Sequence, residues 1–204
     1  MPKVNITVMV SGGGTNLQAI IDGIDSGYID QGRIVQVISS RKEAFALTKA
    51  SKIGAIGIHI GKDNFPDEEK RTAAIIEALS RTQTGLVVLA GYMSILPPEI
   101  IKRYRHRIIN IHPSLIPKFC GAGFYGQKVH EAVLASGDLM TGATVHFVDE
   151  GVDTGEIILQ KEVPILKSDT VNTLSARVLE VEHRLLPEAV RLLCKKINQN
   201  LISK

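Results

Sequence analysis

The chain has 204 residues, 24 Lys and Arg against 21 Asp and Glu, and a formal net charge of +3, so one substantial core is affordable and no strong field invites a nucleic acid. No tryptophan and 4% aromatic residues leave little for a base-stacking platform, and no apolar run approaches a membrane span. The N-terminus lacks the pattern of a signal peptide, and Cys120 and Cys194 are too few and too distant for a disulfide framework or metal knuckle, which makes the cytoplasm the expected compartment.

Val4 to Val10 is an apolar strand candidate that runs into Ser11-Gly12-Gly13-Gly14-Thr15-Asn16 and then into helically spaced Leu17 to Ile21. Ile34 to Ile38 reads as a second strand, Lys42 to Lys52 as a helix stopped by Gly54, and Ala55 to Ile58 as a short strand. Pro66 and Asp67-Glu68-Glu69 suit a helix start, where free amides and the dipole favour them, and that helix runs to about Ser80. Leu86 to Ala90 is a continuous apolar run ending at Gly91, as in a strand buried on both faces, and Arg107 to Ile111 repeats it more weakly. Between them, the basic strip Lys102 to Arg107 reads as a solvated face able to attract anions.

This rhythm predicts an α/β fold: a mostly parallel twisted sheet with helices on both faces. Thr144 to Val148 then alternates, turns through Asp149 to Gly155, and continues as Glu156 to Val163, an antiparallel extension. A closing helix is expected from a cap at Ser168 or Asp169, with Pro187 bending or interrupting it. No internal repeat or flexible linker divides the chain, so residues 1–204 are expected to form one domain.

The glycine loop can turn backbone N–H groups toward a phosphate at a helix N-terminus. Walker A spacing is absent, and Asn16 stands where a dinucleotide fingerprint wants glycine. A monophosphate fits better than ATP or NAD, although a tight turn that binds nothing has the same composition. Asn110 and His112 lie two residues apart on an extended segment and share a face about 7 Å apart. An amide donor and an imidazole there can stabilise an oxyanion, with Asp153 arriving from a glycine-flanked loop to orient or charge the histidine. No serine or cysteine nucleophile accompanies them. His146, on an alternating strand, also suits a hydrogen-bonded core position. Asp149, Glu150 and Asp153 compose a polar loop more than a metal cage, and no metal is expected.

At these residues the chain resembles the phosphoribosylglycinamide formyltransferases, folate-dependent enzymes of purine synthesis. The resemblance spans nearly the whole length: Ser11 to Gln18, Leu89 to Met93, Asn110 to Pro117, Gly142 to Val148, Val152 to Gly155, and Glu182-His183. It implies a nucleotide-binding-like half (1–105, mainly holding the ribonucleotide phosphate) and a catalytic, folate-handling half (106–204). It also implies transfer of the formyl group of 10-formyltetrahydrofolate, the co-substrate, to the amine of glycinamide ribonucleotide. Asn110, His112 and Asp153 fall on the family's catalytic positions. Gly14, Thr15 and Asn16 fall on those that hold the phosphate, and Glu182 on one that contacts the ribose. Met93, Ile95, Leu96, Val145, His146, Val148, Asp149 and Gly151 fall on the folate side. The substrate amine is then the missing nucleophile, and Asp153 is expected to raise the pKa of His112 and keep it charged. The resemblance further implies a monomer or homodimer that needs no metal, membrane or nucleic acid.

The chain departs from the family in places. Ser94 stands where some relatives carry arginine, and Glu68 aligns with an arginine that helps hold the phosphate, so Lys70, Arg71 or the loop itself must compensate. The segment 119–126 is longer than in several relatives, so contacts there do not carry over. A tight turn bounded by proline suggests a cis Ile116–Pro117 bond. Methionyl-tRNA formyltransferases and formyltetrahydrofolate hydrolases share the Asn-x-His and Asp arrangement and are the nearest rival readings. A binding module without turnover is the more distant one.

Overall fold

The computed structural model describes residues 2–199. Seven strands form one sheet in the order β3-β2-β1-β4-β5-β6-β7: β1 (Val4–Val10), β2 (Gly32–Ser39), β3 (Ile56–His59), β4 (Leu86–Leu89), β5 (Ile108–His112), β6 (Met140–Phe147) and β7 (Ile157–Pro164). The first five run parallel, and β6 and β7 add antiparallel to β5, as the change of patterning predicts.

Helices cover both faces. Alternate residues Ile6, Val8 and Val10 pack with α1 (Thr15–Asp25), α2 (Phe45–Lys52), α5 (Gln127–Ser136) and α6 (Val171–Asn198). Met9 and Ile38 point the other way, to α3 (Glu68–Arg81) and α4 (Pro98–Arg103). The period of two in each strand thus divides the core between two layers. Among the described residues no helix is long and apolar enough to cross a membrane.

The structure corrects several boundaries. Helix α2 starts at Phe45, not Lys42, because residues 41–43 turn before the chain enters it. Strand β6 begins at Met140, four residues early, and excludes Val148. The closing helix is capped by Thr170, whose hydroxyl accepts from Thr173 N–H while the Thr173 hydroxyl accepts from Thr170 N–H, a reciprocal capping box. Asp169 instead accepts two hydrogen bonds from Arg177, at 2.7 and 2.9 Å, and that guanidinium holds its carboxyl well below the usual range. Pro187 does not interrupt α6, which continues to Asn198. Its missing N–H removes one backbone bond, but Leu185, Leu186, Ala189 and Val190 around it are buried and hold the helix to the core.

The predicted solvated strip is only partly free. Arg107 stacks over the Tyr104 ring and donates to the Arg103 carbonyl, while Lys102 lies 3.9 Å from Glu150. The chain lays down β1, β2 and β3 outward, then returns to place β4 on the other side of β1. That reversal opens a crevice beyond the carboxyl ends of β1 and β4, where ligands bind in open sheets of this kind.

Candidate active site

Three strand ends meet at this crevice. The glycine loop follows β1, Gly91 to Leu96 follows β4, and Asn110 and His112 close β5. Ser11 joins the first two: its hydroxyl accepts from Met93 N–H at 2.8 Å and lies 2.6 Å from the Ser40 hydroxyl. Gly14 caps α1 at φ +67°, and a β-carbon there would fall 2.8 Å from that of Ala46. Only glycine allows both that backbone conformation and that approach.

Asn110 and His112 point to the face opposite Ile109 and Ile111, beside His146 and Thr144, their cross-strand partners on β6. The Asn110 amide donates to His146 Nε2 at 3.2 Å and, less closely, to Asp153 Oδ1 at 3.4 Å. His146 Nδ1–H donates to the Phe147 carbonyl at 2.8 Å, which leaves Nε2 to accept. His112 Nε2–H donates to the Phe119 carbonyl at 2.8 Å, so its Nδ1, 3.5 Å from Asp153 Oδ2, carries the free lone pair. Asp153 also accepts from Gly121 N–H at 3.0 Å and sits 3.5 Å from His146 Nε2.

The loop that delivers Asp153 is tightly built. Asp149 accepts from Gly151 N–H and the Thr154 hydroxyl, and a β-carbon on Gly151 would collide with Thr154. Asp153 itself has φ +57°, a left-handed conformation that costs a non-glycine residue on the order of 1 kcal/mol. The hydrogen bonds from Gly121 N–H and the Asn110 amide offset that cost and hold the carboxylate between two imidazoles.

Burial raises the Asp153 pKa, but His146, His112 and the Gly121 N–H together outweigh it, and the carboxyl lies below its ordinary value. His112 behaves otherwise than expected. Burial pushes its pKa down, and the upward pulls of the Phe119 carbonyl and Asp153 do not restore it. At 4% exposure desolvation exceeds the attraction of a carboxylate 3.5 Å away. The resting imidazole at pH 7 is therefore neutral, with a base at Nδ1, and is not held charged by Asp153.

A cavity of about 790 Å³ contains Asn110, His112, His146 and Asp153 together with Asn16 and Glu182. Of the expected folate positions, Met93, Ile95, Leu96, His146 and Val148 line it. Val145 does not, because strand alternation turns it into the core of the opposite face. Asp149 and Gly151 shape the Asp153 loop without lining the cavity. Asn16 donates to Glu182 Oε2 at 2.7 Å, so its side chain serves the Glu182 side and only its backbone N–H is available to a phosphate. Gly14 and Thr15 are outside the large cavity. Thr15 instead lines a smaller one of about 350 Å³ with Lys49 and His183. Neither cavity includes Glu68, Lys70 or Arg71. The cation lining this smaller cavity is Lys49 of α2, which the sequence reading did not single out.

Segment 119–126 proves to be part of the site: the Phe119 carbonyl and Gly121 N–H fix His112 and Asp153. The Ile116–Pro117 bond is cis, as the turn suggests. Cys120 donates to the Pro117 carbonyl, and burial and Asp153 push its thiol up, away from a nucleophilic role. Among the described residues no group of three or more His, Cys, Asp or Glu is placed to hold a metal ion.

Burial pushes Glu182 up to about 7, against the lowering effect of Asn16. As pH rises from 4.5, the unfolded chain releases this proton first, so the stability the group contributes is lost progressively until about pH 7. Glu182→Gln is therefore expected to stabilise the protein by on the order of 2–3 kcal/mol at pH 8 and very little at pH 4.5. Denaturant unfolding at the two pH values checks this, and equal shifts at both would contradict it.

The fold and this site define a formyl transferase, whose family model matches residues 4–190. The chain is 41% identical over 186 residues to the phosphoribosylglycinamide formyltransferase of Haemophilus influenzae, covering 91% of this chain and 85% of that one. It is 39% identical to the chloroplastic phosphoribosylglycinamide formyltransferase of Vigna unguiculata, over 95% of this chain and 62% of that longer one. The glycinamide ribonucleotide transformylase 1 structure from Symbiobacterium toebii superposes with a TM-score of 0.88 at 42% identity, covering 95% and 88% of the two chains. The chain belongs to the formyl transferase family, within its phosphoribosylglycinamide formyltransferase branch.

Proposed function

We propose that this chain transfers the formyl group of 10-formyltetrahydrofolate to the amine of glycinamide ribonucleotide, giving the N-formyl product and tetrahydrofolate. The observation that carries this reading is one cavity holding the Asn110–His112–Asp153 constellation at one part and the Asn16–Glu182 pair at another. An acyl site and a place for a ribose thus share one enclosure.

The amine attacks the formyl carbon, forming the new C–N bond and an oxyanion. The Asn110 amide turns to that oxygen, giving up its 3.4 Å contact with Asp153. The proton lost by the amine passes to His112 Nδ1, and the imidazolium that forms is stabilised by Asp153 and by the adjacent oxyanion. When the tetrahedral centre collapses, the bond to the folate nitrogen breaks and that nitrogen receives the proton. Met93 and Ile95 extend the apolar wall for the folate, Ile95 being 79% exposed at its outer end. The nucleotide-binding role falls to residues 1–105, with Glu182 reaching across from α6, and the formyl chemistry to residues 106–204.

The phosphate is assigned to the backbone N–H groups at the start of α1, with Lys49 as the supporting cation in place of the arginine replaced by Glu68. Lys49→Gln is expected to raise the KM for the ribonucleotide about tenfold while leaving the folate KM unchanged. A folate KM that moves equally would contradict that assignment. Formyl transfer itself is tested by supplying folate labelled with ¹³C in the formyl group together with the ribonucleotide. Mass spectrometry is expected to find the label in the ribonucleotide product, and an unlabelled ribonucleotide would overturn the reading.

A further inference from the structure

His130 is the third histidine of the cavity, beside His112 and His146, and the chemistry above does not use it. It lies in the first turns of α5, is 6% exposed, and lines the same enclosure as His112 and Glu182. Its Nδ1 is buried with no hydrogen-bond partner among the described residues. A ring nitrogen without a partner is better left as a lone pair than as an N–H, since orphaned donors are the rarer and costlier case. The proton of the neutral ring then sits on Nε2, the polar atom left to face the cavity.

Position indicates what that donor meets. Helix α5 packs on α6, which carries Glu182, and His130 is close enough to His112 for a charge on one to disfavour a charge on the other. It therefore shares one enclosure with both the end assigned to the ribose and the end where the formyl group is transferred. The segment of the acceptor that spans those two ends is the glycinamide arm, and its hydrogen-bond acceptor is the amide carbonyl. We propose that His130 Nε2–H donates to the amide carbonyl of the acceptor and so fixes the arm that presents the attacking amine. This rests on the transferase reading above and adds to it a residue that selects an aminoacyl amide over a plain amine.

The test compares His130→Phe, which keeps bulk but has no donor, with His130→Gln, whose amide N–H reaches about where Nε2 does. His130→Phe is expected to raise the KM for glycinamide ribonucleotide about tenfold with the folate KM unchanged, and His130→Gln to restore most of that loss. Thermal stability of His130→Phe should equal or exceed that of the native protein, because an unpartnered buried nitrogen is removed. An acceptor analogue with a methylene in place of the amide carbonyl should be used equally by the native protein and by His130→Phe. Unchanged ribonucleotide KM in His130→Phe, a parallel rise in both KM values, or an analogue KM that rises in His130→Phe as much as that of the ribonucleotide would overturn the proposal. Failure of the transferase reading is separate: the native protein would then turn over no ribonucleotide at all.

Discussion

His112→Asn is expected to lower kcat by about 10²–10³-fold, the loss typical of removing one group that acts on the tetrahedral intermediate, while ribonucleotide affinity changes little. The substitution removes the base at Nδ1 and the imidazolium that follows proton uptake, both of which matter only as charge develops. Calorimetric titration with the ribonucleotide separates the two effects, and a comparable loss of binding would count against the assigned role. In the native protein, activity should fall as pH drops through the depressed His112 pKa, below 6.5, because protonation removes the base.

Asp153→Asn is expected to cost about 10²–10³-fold in kcat, by a different route. Its carboxylate pulls the His112 pKa upward, so neutralising it lowers that pKa further and destabilises the imidazolium intermediate. The acid limb of the pH–rate profile should therefore move to lower pH in Asp153→Asn, even as its plateau falls. A limb that stays in place or moves to higher pH would mean that Asp153 does not act on His112. Asparagine tolerates positive φ about as well as aspartate, so the loop conformation at φ +57° should survive the change.

Much of the site was legible because it rests on strand periodicity and glycine placement. Residues 110 and 112 share a face by a period of two, and the run at β4 is apolar throughout, and that at β1 apolar but for Asn5 and Thr7, because both faces of the parallel sheet are covered. The glycine loop was readable as a strand-to-helix turn, and Gly14 proves to be where both backbone and packing demand glycine.

Other parts left weaker traces. Helix α4 has only six residues, too few for a periodic pattern. Helix α5 carries only a faint signal, Val129 and Val133 four apart and Gly137 as a left-handed cap. The start of β6 contains Gly142 and Ala143, small residues that are depleted in strands. Gly142 is there because a β-carbon would strike the Lys161 backbone across the ladder. The contributions of the Phe119 carbonyl and Gly121 N–H have no side-chain signature at all. The charge of His112 is not legible in the sequence: the carboxylate partner is visible in the motif, whereas the depth of burial that outweighs it is a property of the folded chain.

The central claim is that the attacking nucleophile arrives on a phosphoribosyl substrate seated against Glu182 and the glycine loop. It is tested most directly by following folate release from 10-formyltetrahydrofolate with and without glycinamide ribonucleotide. The account predicts release that depends on the ribonucleotide and matches the N-formyl product one for one. Equal release in its absence would mean that water takes the place of the amine, and would contradict the claim.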